Sequence, residues 1–154
     1  MGDYRKLLVW QRARALVRRV QQLVGELPAS ERAVRGEQLI RAATSIRYNI
    51  AEGAGFNSDR QFAKHLRYAL ASANEVQDEL DDLDEQKLLP ERDRDLPGEV
   101  AEIRAMTFVL LQRVDGRNPQ NARTPPRKTQ PDPPGADTEI PPDAASASDR
   151  PPSC

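Results

Sequence analysis

Between Tyr4 and Leu27 the apolar residues Leu7, Trp10, Ala13, Leu16, Val17, Val20, Leu23, Val24 and Leu27 recur at intervals of three and four. At about 100° per residue they share one face of a helix. The same spacing returns three more times. Leu39, Ile40, Ala43, Ile46, Ile50 and Ala51 mark a second helix, entered through a Ser30 N-cap after Pro28 and running to about Ala54. Phe62, Leu66, Ala69, Leu70, Ala73, Val76, Leu80 and Leu83 mark a third, from Asp59 to about Leu88. Val100, Ile103, Met106, Thr107, Val109, Leu110 and Val114 mark a fourth, which follows the N-cap and early-proline signature Asp95-Leu96-Pro97 and ends near Asp115-Gly116. Four amphipathic helices with short connections predict an all-α fold, an antiparallel up-down-up-down four-helix bundle over residues 1–115. Aromatic residues are only 5% of the chain and charged residues 31%, which suits such helices better than a sandwich of strands.

Residues 116–154 follow another rule. They hold ten of the thirteen prolines among Ala, Ser, Asp and Thr, with no apolar period. Such a segment buries too little surface to offset its conformational entropy, so a disordered Pro-rich tail is expected.

The formal net charge of −1 conceals a polarity along the chain. Residues 1–67 carry thirteen Lys or Arg against six Asp or Glu, while residues 75–102 carry three against twelve. In the first helix Arg14 and Arg18 fall opposite the apolar face, with Arg12 and Arg19 on one shoulder. Arg60, Lys64 and Arg67 share the outer side of the third helix at its start, and Glu75, Asp78, Glu79, Asp82 and Glu85 occupy that side further along. Acids at a helix C-terminus oppose the helix dipole, so packing or a partner has to hold them.

The stretch from Ile46 to Ser58 reads as a helix end, a glycine break and a new cap. Ser58-Asp59-Arg60-Gln61 has the form of a capping box, with Phe56 placed as a hydrophobic staple. Arg41, Ser45, Asn49 and Glu52 form an outward polar row on the second helix. Arg47 falls inside the apolar arc, where it must snorkel, pair with an acid or meet another chain.

Catalytic and metal-binding patterns are missing from the sequence. His65 is the single histidine and Cys154 the single cysteine. Neither a nucleophile elbow, inward Glu-x-x-His pairs, a P-loop nor a dinucleotide fingerprint is present, because Gly53-Ala54-Gly55 lacks both the third glycine and a preceding strand. His65 is expected to make an ordinary hydrogen bond at a helix edge. No catalytic residue, metal or cofactor is assigned. With no disulfide possible within the chain, no apolar run of about 18 residues and no signal-peptide pattern, a cytoplasmic protein without a membrane partner is expected.

The order Val9-Trp10-Gln11-Arg12-Ala13, Arg41-Ala42-Ala43-Thr44-Ser45-Ile46, Asn49-Ile50-Ala51-Glu52-Gly53, Gly55, Ser58, Phe62, Leu66, Ala69, Ser72 and Glu75 resembles the four-helix-bundle proteins encoded in intervening sequences of bacterial large-subunit ribosomal RNA genes. The likeness spans about residues 3–114. It implies a small up-down bundle, commonly a ring-like homopentamer, without known catalytic activity. Related bundles are accessory proteins of diversity-generating retroelements, in which a basic pentamer binds nucleic acid and a reverse transcriptase. Trp10, Asn49, Glu52, Gly53, Gly55 and Ser58 are then motif positions with a structural or interface role. Three departures stand out: Arg47 where the family usually has Pro, Phe56 where it usually has Arg, and Ala71 where it often has Gly.

Two functions follow as expectations. In the first, a homo-oligomer binds RNA or DNA through Arg12, Arg14, Arg18, Arg19, Arg41, Arg47, Arg60, Lys64 and Arg67. Against it stands a sequence pI near 5.9, far below the value above 9 of committed nucleic-acid binders. In the second, basic and acidic faces are used in subunit assembly and the remaining surface binds a protein such as a reverse transcriptase.

Overall fold

The computed structural model describes residues 3–117. Their order is a 3₁₀ turn (Tyr4–Lys6), α1 (Leu8–Glu26), a short α2 (Ala29–Glu31), a π segment (Arg32–Gly36), α3 (Glu37–Gly55), α4 (Asp59–Glu85), a second 3₁₀ turn (Glu91–Asp93) and α5 (Leu96–Gly116). Backbone angles stay helical at Glu31, Arg32, Gly36 and Glu37, so α2, the π segment and α3 make one rod and the bundle has four helices. No strand occurs among the described residues. Each rod packs on the next in sequence, and α1 closes against α5. That is the neighbour pattern an up-down-up-down arrangement requires. The proline-rich tail expected over 116–154 lies outside the described residues from position 118 on.

The helix starts differ from the sequence reading in instructive ways. Asp3 caps the first 3₁₀ turn by accepting from the Arg5 amide at 3.0 Å, and Leu7 is extended, so α1 begins at Leu8 rather than Tyr4. Gln11 then donates to the Arg5 carbonyl at 2.8 Å and ties the turn back onto the helix. Ser30 is not the N-cap of the second rod. Pro28 takes that place, preset for it by its ring, and Ser30 lies inside the first turn. Asp95 precedes α5 but makes no capping bond, because Arg19 takes its carboxylate. Only Ser58 caps as expected, its Oγ accepting from the Gln61 amide at 3.4 Å.

The core runs the length of the bundle through Leu16, Val20, Leu23, Leu39, Ile46, Ile50, Leu66, Val76, Leu80, Leu83, Leu96 and Ile103. On α3 the buried arc includes Ala42 and Gly53, while Ile40 and Ala51 are only half-buried. On α5 the inner face takes Leu111, and Val109 turns outward at 45% exposed. The π segment places Gly36 against α1, where an added Cβ would stand 2.8 Å from Val24 Cγ1. Close approach of the two rods there depends on the missing side chain.

Helix α4 ends three residues earlier than the apolar pattern implies. Leu88 donates its amide to the Leu83 carbonyl at 2.8 Å and Lys87 to that of Asp84 at 2.9 Å, with Lys87 at φ 58°. This is the Schellman termination, whose left-handed position favours glycine. Lys87→Gly should therefore raise unfolding stability by about 0.5–1 kcal/mol, read as a higher urea midpoint at unchanged slope.

Candidate nucleic-acid interface

The first-helix arginines separate into two groups. Arg12 grips Glu99 of α5 with two bonds of 2.8 and 2.9 Å and reaches Glu102 as well. Arg19 holds Asp95 through bonds of 2.8 and 2.6 Å, Asp93 at 3.1 Å and the Arg92 carbonyl at 3.1 Å. Hydrogen bonds to Glu99 raise the Arg12 pKa, and those to Asp95 raise that of Arg19. These shoulder residues clamp α1 onto the acidic start of α5, and the buried Asp93 is held between Arg19 and Arg92. Arg14 and Arg18 remain exposed, lining a shallow depression with Trp10, Gln11 and Ala15, and the Arg14 guanidinium lies 5.7 Å from the Trp10 ring centre.

The other cations singled out in the sequence are dispersed along α3 and α4. Arg41 pairs with Glu37 one turn back at 2.5 Å on an exposed face. Arg47 lies at the edge of the buried arc, half-buried, with its guanidinium 4.8 Å from the Tyr48 ring centre, which answers the question of how it leaves the core. Arg60, Lys64 and Arg67 do converge. With Ser58 and Gln61 they line one concavity over the first two turns of α4. Arg67 is tethered there by Asp115 of α5, while Arg60 and Lys64 have no acid partner among the described residues. Since α1 contacts α3 and α5 and α4 contacts those same two, α1 and α4 are diagonal in the bundle. The nine cations therefore do not make one surface.

Beside this concavity runs a polar seam that sequence reasoning placed on the outside. Ser45 and Asn49 are half-buried and face α4, whereas Arg41 and Glu52 of the same expected row are exposed. Ser72 Oγ donates to Ser45 Oγ at 2.9 Å, and Asn49 Nδ2 donates to the Ser45 carbonyl at 2.9 Å and its Oγ at 3.1 Å. That leaves Asn49 Oδ1 facing His65 Nδ1 at 3.1 Å, so the Nδ1 proton points to Asn49. Glu52 stands 3.9 Å from the same nitrogen. Phe56 stacks on the His65 ring, centroids 5.3 Å apart, instead of acting as a staple.

Glycine makes the seam possible. A Cβ on Gly53 would meet His65 Cβ and Phe62 Cδ2 at 2.8 Å, while one on Gly55 would meet nothing within 4 Å. Ser72 and His65 were the members the sequence reading left unassigned to any pairing with α3. Their spacing of seven places them on one face of α4, as the spacing of four places Ser45 and Asn49 on one face of α3, and that was the available signal.

Four helices, an apolar core and a motif that locks α3 to α4 define a small helical-bundle protein. The chain matches the model of the 23S rRNA-intervening sequence protein family over residues 5–108 and belongs to that family. A search among curated proteins returned no match. No helix among the described residues is long and apolar enough to cross a membrane.

The glycines of the motif give the test. Gly53→Ala should cost about 1–3 kcal/mol by overpacking the seam, and Gly55→Ala should be neutral or stabilising by a few tenths. Paired urea titrations measure the difference.

Proposed function

We propose that the chain is a non-enzymatic, homo-oligomeric bundle of the cytoplasm that binds RNA through a basic concavity in which Arg60 and Lys64 have no acid partner among the described residues and Arg67 has one. The observation that carries this reading is the concavity of Ser58, Arg60, Gln61, Lys64 and Arg67. Three cations with two neutral hydrogen-bonding side chains match a phosphate backbone, because guanidinium and ammonium groups neutralise it while hydroxyl and amide groups position it. Arg12 and Arg19 drop out of the interface, since each already holds two carboxylates. Arg14 and Arg18, on the diagonal helix, form a separate and weaker patch. Repetition of the concavity in an oligomer would multiply a modest affinity.

A second reading is a protein-interaction module, for instance an accessory subunit of a reverse transcriptase. It draws on the apolar depression between α1 and α5, lined by Leu7, Leu8, Val9, Met106, Val109 and Leu110, where Leu8 is 58% exposed.

Titration of the full chain against a structured RNA tests the first reading. The logarithm of affinity should fall linearly with that of salt, with a slope of about −2 to −3 for three neutralised phosphates. Arg60→Gln and Lys64→Gln should each flatten the slope by about one, and Arg18→Gln should leave it unchanged. Absence of binding at low salt, or binding indifferent to salt, would sink the proposal.

A further inference from the structure

The outer stripe of α4 reads Arg60, Lys64, Arg67, Ala71, Glu75, Asp78, Asp82 and, at its end, Glu85. At about 100° per residue these positions share one side of the helix. All are exposed except Asp82, which is half-buried. The stripe is basic on one side of Ala71 and acidic on the other, and all its charges but that of Glu85 are mirrored about that residue. Lys64 and Asp78 stand seven positions either side of Ala71, Arg67 and Glu75 four, and Arg60 and Asp82 eleven.

From this arrangement we infer that the stripe is a self-complementary contact between two copies of the chain. Two α4 helices laid antiparallel about a two-fold axis at Ala71 place Lys64 opposite the partner's Asp78 and Arg67 opposite the partner's Glu75, with Arg60 opposite the partner's Asp82 at the rim. Each pairing occurs twice, as an isologous contact demands. Ala71 meets the partner's Ala71 at the centre, where a small side chain lets the rods approach.

Three further observations support a second copy as the occupant. Arg60, Lys64, Glu75 and Asp78 have no ion pair within the described residues, unlike Arg12, Arg19 and Arg35, which are each held by two or more acids. Arg67 and Asp82 already hold Asp115 and Arg35 of their own chain and would share them with the second copy, so the unshared pair of Lys64 and Asp78 carries the contact. The stripe also runs against the dipole of its own helix, with cations near the N-terminus and acids near the C-terminus. An antiparallel partner brings its acidic end to each basic end and corrects both. Finally, the 27 residues of α4 give the contact its length, since the pairs from Arg60 to Asp82 extend about 33 Å along the rod.

The contact is additional to the oligomer of the RNA reading, in which the concavities stay open, and does not depend on RNA binding. Because it covers Arg60, Lys64 and Arg67, RNA and the second copy exclude one another. An isologous contact closes at two, so it doubles whatever assembly the rest of the surface makes.

Light scattering on the full chain at about 50 mM salt, free of nucleic acid, tests the pairing, with circular dichroism checking that each variant is folded. The acidic-stripe variant, Lys64→Glu with Arg67→Glu, and the basic-stripe variant, Glu75→Lys with Asp78→Lys, should each show half the wild-type mass. An equimolar mixture of the two should recover the full mass. Ala71→Trp, which alters no charge, should weaken association at least tenfold, and about 1 M salt should dissociate the wild-type pair. Reversals that leave the mass unchanged, a mixture that stays at half mass, or a wild-type chain already monomeric would overturn the inference. Absence of RNA binding by the wild-type chain, with these masses as expected, would remove the RNA reading alone.

Discussion

The close approach of α3 and α4 at Gly53, near the turn that joins them, governs how these two helices pack. With no side chain at that position, the backbone of α3 comes against His65 and Phe62, and the polar groups of both helices fall within hydrogen-bonding range. Ser72, Ser45, Asn49 and His65 then satisfy one another in a chain instead of facing water. A connected network of this kind fixes register better than aliphatic packing, because a shift of one residue leaves several half-buried groups unpaired. Phe56 covers the open end of the network by stacking on His65, which also fixes the path of the chain into the Ser58 cap.

Charge is the second constraint, and most of it is resolved within the chain. The basic first half meets the acidic second half at two places: Arg12 and Arg19 on the start of α5, and Arg35 on Glu79 and Asp82 near the end of α4. The two sites lie on different sides of the bundle, so helices with modest apolar faces are also held by charge. Arg35 and Asp93 are the least exposed members, and removing the opposite charge from either would leave a desolvated ion. This explains how a chain with so uneven a charge distribution folds as a near-neutral unit.

How much of this could be read from residues alone varies with the type of interaction. The helices and their inner faces were legible because period 3.6 is a strong signal over 19 to 27 residues. The outward assignment of Ser45 and Asn49 failed because a helical wheel gives direction around one rod but not where a neighbour sits. The buried arc of α3 extends toward α4 on the Ala42 and Gly53 side, which brings both polar residues into the seam. Ser30 and Asp95 failed as caps for different reasons: the ring of Pro28 presets the backbone two residues before Ser30, and Arg19, a tertiary contact that residue type does not encode, takes the Asp95 carboxylate. Arg12 and Arg19 were visible as shoulder residues, yet their partners are more than seventy positions away.

What remains exposed after these pairings is informative because it is so unevenly distributed. Along α4 the inner face is closed by Leu66, Val76, Leu80 and Leu83, and the flank toward α3 by the polar seam. The outer stripe is left, and its charges are arranged against the helix dipole, a disposition that costs about 0.3–1 kcal/mol for an unpaired charge in a terminal turn, where Arg60 and Glu85 stand. A solvated face gains nothing from such an order, since the same residues reversed along the helix would be equally soluble and more stabilising. An order that is unfavourable in one chain, and becomes favourable when a second helix lies antiparallel to it, places its physical rationale between molecules. The RNA reading explains the basic half of the stripe but leaves the acidic half without a role. Pairing about Ala71 accounts for both halves with the same residues.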